Sequence, residues 1–153
     1  MTIEVARRTL DEIERHAEES YPRECCGVVV GDGARERVNR IDNIQDRMHA
    51  EDPAAHPRDS RTAYFMDPQQ LYAVLRAAER ESSPIRVFYH SHPDHGAYFS
   101  DEDTARAMAW DEPAYPGASY LVVSVMRGRV ADRIMVRWDA DRRRFVPTDL
   151  AVA

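Results

Sequence analysis

Two stretches of the chain combine residue types that could do chemistry: His90-Ser91-His92-Pro93 and Ser100-Asp101-Glu102-Asp103. His90 and His92 stand two apart at the end of an apolar run, so on a strand their side chains leave the same face. Two imidazoles placed that way can share one metal ion. Asp103 falls in the first turn of the element that follows, where a tight loop would bring its carboxylate to the same point. Two nitrogens and one oxygen suit Zn2+, and three protein ligands plus a water is the arrangement of catalytic rather than structural zinc sites. Such a site also needs a general base. Glu24, in Tyr21-Pro22-Arg23-Glu24-Cys25-Cys26-Gly27, is the candidate, because it stands where the first helix ends and the first apolar strand begins.

Each part has a plainer reading on its own. Two strand-end histidines arise often by chance. Ser100-x-x-Asp103 has the form of a capping box, with Ser100 as N-cap and Asp103 reaching back to it. A serine at a helix start can also cap the helix and still face a site. Glu24 has the position of an ordinary surface carboxylate before a strand. Spacing alone leaves these alternatives open.

The elements that must position these residues follow from periodicity. Ala6, Leu10, Ile13 and Ala17 form one face of an amphipathic helix that Pro22 ends. Cys25 to Val30 is a strand, stopped by Gly31-Asp32-Gly33, with Arg35 to Ile41 as its returning hairpin partner. Residues 43–62 carry Pro53, Pro57 and many charges, which predicts a long exposed loop, either a binding loop or a disordered stretch. A short strand is expected over 63–66. Asp67-Pro68 then opens a second helix that buries Leu71, Val74, Leu75 and Ala78. Ile85 to His90 reads as a strand, Ser91 to Phe99 as a polar loop, and Ser100 to Trp110 as a third helix. Ala118 to Met126 and Val130 to Trp138 form a second hairpin across Arg127-Gly128, with a last short strand around Phe145 and Val146. Helices mixed with hairpins and crossovers imply an α/β fold, a mixed β-sheet sandwiched by helices.

The chain of 153 residues is one domain's worth and long enough to bury a core without disulfides. Its 21 basic residues are all Arg, and with 27 Asp and Glu the net charge is −6. That excess of acid disfavours a general nucleic-acid binder and a polybasic membrane-surface protein. No apolar run reaches the length of a membrane span. The adjacent Cys25 and Cys26 cannot form an ordinary disulfide with each other and would point to opposite faces of a strand. They read as buried, reduced thiols of a cytoplasmic protein. His95 is expected to be a solvated loop residue near the site. His49 and His56 lack ligand spacing, and Arg142-Arg143-Arg144 reads as solvated surface.

Taken together, Glu24, His90-x-His92-Pro93, the seven residues from Pro93 to Phe99, then Ser100 and Asp103, resemble the JAMM (MPN+) zinc metallopeptidase family, in its short stand-alone prokaryotic form. The Pro-x-Glu-x-Cys-Gly context around Glu24 is similar to bacterial and archaeal members, and the order of elements agrees from about Ile3 to Trp138. The resemblance implies a cytidine-deaminase-like JAMM/MPN fold over residues 1–153. It implies that His90, His92 and Asp103 bind Zn2+, that Glu24 acts as general base and then general acid, and that Ser100 helps stabilise the oxyanion. It also implies a substrate: the C-terminal tail of a ubiquitin-like or sulfur-carrier protein, cut at an amide or isopeptide bond after Gly-Gly. The alternatives are a deubiquitinase-like isopeptidase acting on lysine conjugates and a non-catalytic MPN scaffold that binds a partner protein. A zinc nucleoside deaminase would need a Pro-Cys-x-x-Cys ligand segment, which Cys25-Cys26 does not supply.

Overall fold

The computed structural model describes residues 1–153. Its β-branched runs form one seven-stranded sheet with the order β1-β9-β8-β7-β4-β2-β3. β2 (Cys26–Val30) and β3 (Arg37–Ile41) are the expected first hairpin, and β4 (Ile85–Pro93) lies antiparallel to β2. β7 (Ser119–Met126) runs parallel to β4 and is followed by β8 (Arg129–Asp139) and β9 (Arg144–Val152) in antiparallel order. β1 (Thr2–Val5) adds a second parallel pairing, to β9. The sheet is therefore mixed, as the pattern of hairpins and crossovers predicts.

Alternation along the strands sorts side chains to two faces. Cys25, Val29, Val87, Tyr89, Leu121, Val123 and Val125 pack on one face with Leu10, Ile13 and Ala17 of α1 (Arg7–Ser20). Cys26, Val28, Val30, Phe88 and Tyr120 pack on the other with Tyr64, Ala78 and Ala107. The two cysteines do take opposite faces, and both are buried and unpaired. His90 and His92 follow the even-numbered register of Phe88. They emerge under α3 (Pro68–Arg80) and α4 (Asp101–Ala107) rather than under α1.

Several elements differ from the sequence expectation. Residues 43–62 are largely exposed, as expected, but they are not loop throughout: they contain α2 (Gln45–Glu51), and Gln45 and Ser60 are buried against the body of the protein. Polar side chains hold this segment. Asn43 donates to the Glu24 and Ala63 carbonyls and accepts from Gln45 N and Phe65 N, while the Asp46 carboxylate accepts from the Ser60 amide and hydroxyl. Residues 63–66 contribute a single bridge, Asn43 to Met66, instead of a strand. The third helix stops at Ala107, and residues 108–113 form a two-stranded ribbon, β5 (Met108–Ala109) with β6 (Glu112–Pro113). β9 runs nine residues where a short strand was expected. Of the predicted apolar face of α3, only Ala78 is fully buried. No helix is long and apolar enough to cross a membrane.

Gly27 marks a close approach inside this sheet. A Cβ there would run into the ring and hydroxyl of Tyr89, which is itself held by a 2.7 Å hydrogen bond with His16 Nδ1. Gly27→Ala is expected to destabilise the fold by about 1–3 kcal/mol, the usual cost of overpacking. Urea unfolding of the two proteins measures this, and an unchanged midpoint would show that Tyr89 can move aside.

Candidate metal centre

β4 pairs His90 with Cys26 of β2 and carries His92 beyond that pairing along β7, where His92 lies opposite Ser124. The loop that follows turns back so that α4 begins over the same face. Ser100 accepts a 3.0 Å hydrogen bond from Asp103 N, and the Asp103 carboxylate accepts a 3.0 Å hydrogen bond from Ser100 N, so the capping box is real. The same carboxylate faces the histidines. Its Oδ1 lies 3.2 Å from His90 Nε2 and its Oδ2 lies 3.3 Å from His92 Nε2. The two Nε2 atoms are 3.2 Å apart. One side chain therefore completes the capping box and also faces both histidines.

These three distances test whether a metal fits. A tetrahedral ion with ligand bonds of about 2.0–2.2 Å separates its ligands by about 3.3–3.5 Å. Each histidine Nε2 lies nearly that far from the other and from one oxygen of the Asp103 carboxylate, one ligand atom from each residue lies within 4.8 Å of the others, and all three residues are buried. Protonation agrees. Burial holds His90 below the ordinary histidine range, so its ring is neutral and keeps a lone pair. Burial opposes ionisation of Asp103, but hydrogen bonds to His90, His92 and the Ser100 amide outweigh it and hold the carboxyl well below the usual range. His92 Nδ1 lies 3.0 Å from the Gly96 carbonyl, the outer contact that orients a ligating imidazole. His90 stacks on Tyr64, with ring centroids 4.5 Å apart.

A pocket of about 80 Å3 opens beside the triangle, lined by Glu24, His92, Ser100 and Asp103 together with Tyr64, Tyr98, Arg58, Glu102 and Arg106. All five residues singled out in the sequence thus converge on one place, His90 behind His92 and the other four on the pocket wall. Glu24 is 5% exposed. Its backbone is pinned by N–H donation to Ser60 O and by Asn43 donating to its carbonyl. Burial, aided by the charges of Asp103 and Glu102, pushes its carboxyl from the ordinary 4.5 up to about 9.

His95 lines the pocket from an exposed loop position. The other singled-out residues stay out of it. His49 is bonded to the His56 carbonyl, 2.7 Å away, and His56 packs edge-on against Phe65. Burial pushes the Cys25 thiol up to about 12 and the Cys26 thiol well above its usual range, so neither is a nucleophile. Sequence reasoning missed Arg58, Tyr64, Glu102 and Arg106. Arg106 was within reach of it, since three residues after Asp103 on a helix is the same face. Beyond Tyr64 and Arg106 lies an apolar recess of about 190 Å3 floored by Leu71, Phe88 and Tyr120.

Comparison with known proteins gives the family. The family described as prokaryotic homologs of the JAB domain matches residues 6–141. The chain belongs to this family. Among its JAB relatives are a desampylase from Haloferax volcanii, 32% identical over 126 residues and 80% of each chain, and a probable TtuB-protein conjugate cleaving protease from Thermus thermophilus, 33% identical over 74% of this chain and 68% of that one. A CysO-cysteine peptidase from Mycobacterium tuberculosis is 32% identical over 71% of this chain and 64% of its own length. A solution structure from Desulfitobacterium hafniense superposes with a TM-score of 0.71 at 20% identity, covering 100% of this chain and 93% of that one. A JAB1/MPN domain protein from Archaeoglobus fulgidus gives a TM-score of 0.51 at 12% identity, covering 97% of this chain and 99% of that one. These neighbours carry the fold, a JAB/MPN α/β domain.

The elevated Glu24 carboxyl has a signed consequence for the metal-free JAB domain. Between pH 4.5 and about 9 the folded chain holds a proton that the unfolded chain releases. Stability linked to Glu24 is therefore complete below pH 4.5 and lost as pH rises, by at most about 1.4 kcal/mol per pH unit. Urea unfolding in chelator from pH 5 to 9 should show the Glu24→Gln protein losing less stability than the native chain over that range. Parallel losses in the two proteins would contradict the assignment.

Proposed function

We propose that the chain is a zinc metallopeptidase that hydrolyses an amide or isopeptide bond after the C-terminal Gly-Gly of a ubiquitin-like or sulfur-carrier protein. One observation carries the reading: the closed triangle of His90, His92 and Asp103, with Glu24 and Ser100 on the same pocket wall. The names of three relatives support the substrate class, since they describe a desampylase, the cleavage of a protein conjugate and a peptidase acting on CysO-cysteine. Two buried, unpaired cysteines favour a reducing compartment, and the proposed location is the cytoplasm.

His90, His92 and Asp103 would hold the zinc ion. When bound, zinc supplies a Lewis acid and lowers the pKa of water to about 7. The chain's own residues do the rest. Glu24 takes the proton of the attacking water and returns it to the leaving nitrogen. A cation beside Asp103 offsets the negative charge that helps keep Glu24 protonated, and so favours the carboxylate form that a base requires. Ser100 Oγ accepts from Asp103 N, which leaves its own proton free to be donated to the substrate oxygen as that oxygen gains charge. The buried histidine pair and the stacked Tyr64 exclude water from one side of the site.

The test is incubation of the zinc-loaded protein with a carrier protein extended beyond Gly-Gly, followed by mass spectrometry. Glu24→Gln should lower the rate by about 100- to 10,000-fold, the usual contribution of a positioned base. Chelation should remove activity, and zinc should restore it. Cleavage indifferent to chelator, or a Glu24→Gln protein as fast as the native one, would sink the mechanism. Ser100→Ala should lower the rate by at least about tenfold and also cost about 1 kcal/mol of stability through the lost cap. A stability loss with the rate unchanged would leave Ser100 as a cap alone.

A further inference from the structure

The pocket mouth holds two arginines and a single carboxylate to share between them. Glu102 Oε2 lies 3.3 Å from Arg58 Nη1, and Glu102 Oε1 lies 3.5 Å from Arg106 Nη2. The other two acids lining the pocket are buried and turned elsewhere: Asp103 faces the two histidines, and Glu24 is 5% exposed.

The Arg106 guanidinium is also held in place. It lies over the rings of Tyr64 and Phe65, 5.5 Å from each centroid. It donates to Gln45 Oε1 at 3.3 Å, while Gln45 Nε2 donates to the Arg58 backbone carbonyl at 2.8 Å. Gln45 is 1% exposed, so a single buried amide anchors the Arg106 fork and the Arg58 backbone to the same wall, and the Arg58 side chain extends from there into solvent. A guanidinium presents five N–H donors in a planar fork suited to carboxylates. Glu102 and Gln45 occupy only a few of the donors on the two forks. Two forks beside the candidate site, one fixed and one free to adjust, with donors to spare, are suited to receive an anion.

We propose that Arg58 and Arg106 are specificity-determining residues that bind the free carboxylate of the leaving group. The preferred reaction is then release of a single amino acid, with its own α-carboxylate, from the end of a Gly-Gly tail. The lysine side chain of an isopeptide has no carboxylate at that distance from the scissile bond. The proposal rests on the peptidase reading and narrows it. Hydrolysis adds one water across the amide, leaving a Gly-Gly carboxylate on the carrier and a free amine on the released amino acid. The arginines take no part in the proton transfers.

The test compares three peptides sharing one Gly-Gly segment: one ending in Gly-Gly-Ala with a free carboxylate, the same peptide as its C-terminal amide, and one joined through Gly-Gly to a lysine side chain. With the zinc-loaded native chain, kcat/KM for the acid should exceed that for the other two by about 10- to 100-fold, the worth of a charge-assisted contact. Arg58→Gln and Arg106→Gln should each bring the acid-to-amide ratio down toward one. Glu102→Gln, which removes the competing anion, should raise that ratio, a change that a purely structural role would not produce. Arg58, the more exposed of the two arginines, keeps the test decisive if the Arg106 variant does not fold. Calorimetric binding of the acid and amide peptides to the zinc-loaded Glu24→Gln protein separates the two readings. Tighter binding of the acid without turnover by the native chain would keep the arginine assignment and sink the peptidase. Equal cleavage of all three peptides would keep the peptidase and overturn the arginine assignment. Failure of every peptide to bind or react would overturn both.

Discussion

The site depends on a conflict that a single carboxylate resolves. Asp103 must satisfy the open N-terminus of α4 and must also face two buried imidazoles. A helix start leaves N–H groups without partners, and a buried carboxylate without partners is costly. Putting both at one point lets each satisfy the other. The seven residues between His92 and Ser100 set this meeting, because they must carry the chain off β4 and return it within reach of the strand it has just left. The capping box then fixes the carboxylate's direction, so the three proposed ligands already stand together. Such preorganisation is what allows a small domain to place donors within a few tenths of an ångström of a useful geometry.

Around that point the sheet supplies two different surfaces. The face under α1 is closed with apolar side chains, and its one polar contact of note, His16 with Tyr89, is satisfied internally. The opposite face gives up part of its apolar lining to the histidines and covers them with Tyr64. The register of β4 decides which residues go where. A slip of one residue would send His90 and His92 into the α1 core and bring Tyr89 to the site. Gly27 guards against such rearrangement in a local way, since its missing side chain is the space that Tyr89 occupies.

Much of this was legible in the sequence, and for physical reasons. β2 and β7 are Val-rich runs buried on both faces and α1 has a clear apolar stripe, so hydropathy reports them directly, while β4 is legible from Ile85 to His90 but runs on through the polar Ser91 and His92 to Pro93. His90, His92, Ser100 and Asp103 lie at short separations on or beside regular elements, where period and spacing translate into geometry, whereas Glu24 stands far off in sequence, just before β2. The helix within residues 43–62 was not legible because little apolar surface marks it. Their order comes from Asn43, Gln45 and Asp46 bonding to backbone groups, and a charged, proline-containing stretch with that kind of support looks in sequence like a loop. Arg58 and Glu102 were missed for a related reason, since they meet across 44 positions of sequence on two elements whose packing no periodicity announces. β9 was underestimated because Pro147, Thr148 and Asp149 interrupt its apolar pattern, yet it takes β8 on one side and β1 on the other.

The fastener of the pocket wall is a neutral amide. Gln45 ties the segment before α3 to α4 through hydrogen bonds that carry no net charge at its end. Salt screens charge-to-charge attraction over about 8–10 Å but scarcely touches a buried amide contact. Ionic strength should therefore act on this protein selectively. It weakens the pull of the arginines on whatever approaches the mouth, while the architecture that spaces those arginines stays closed. The attraction and the aperture are governed by different forces, and a change of ionic strength dims the one without loosening the other.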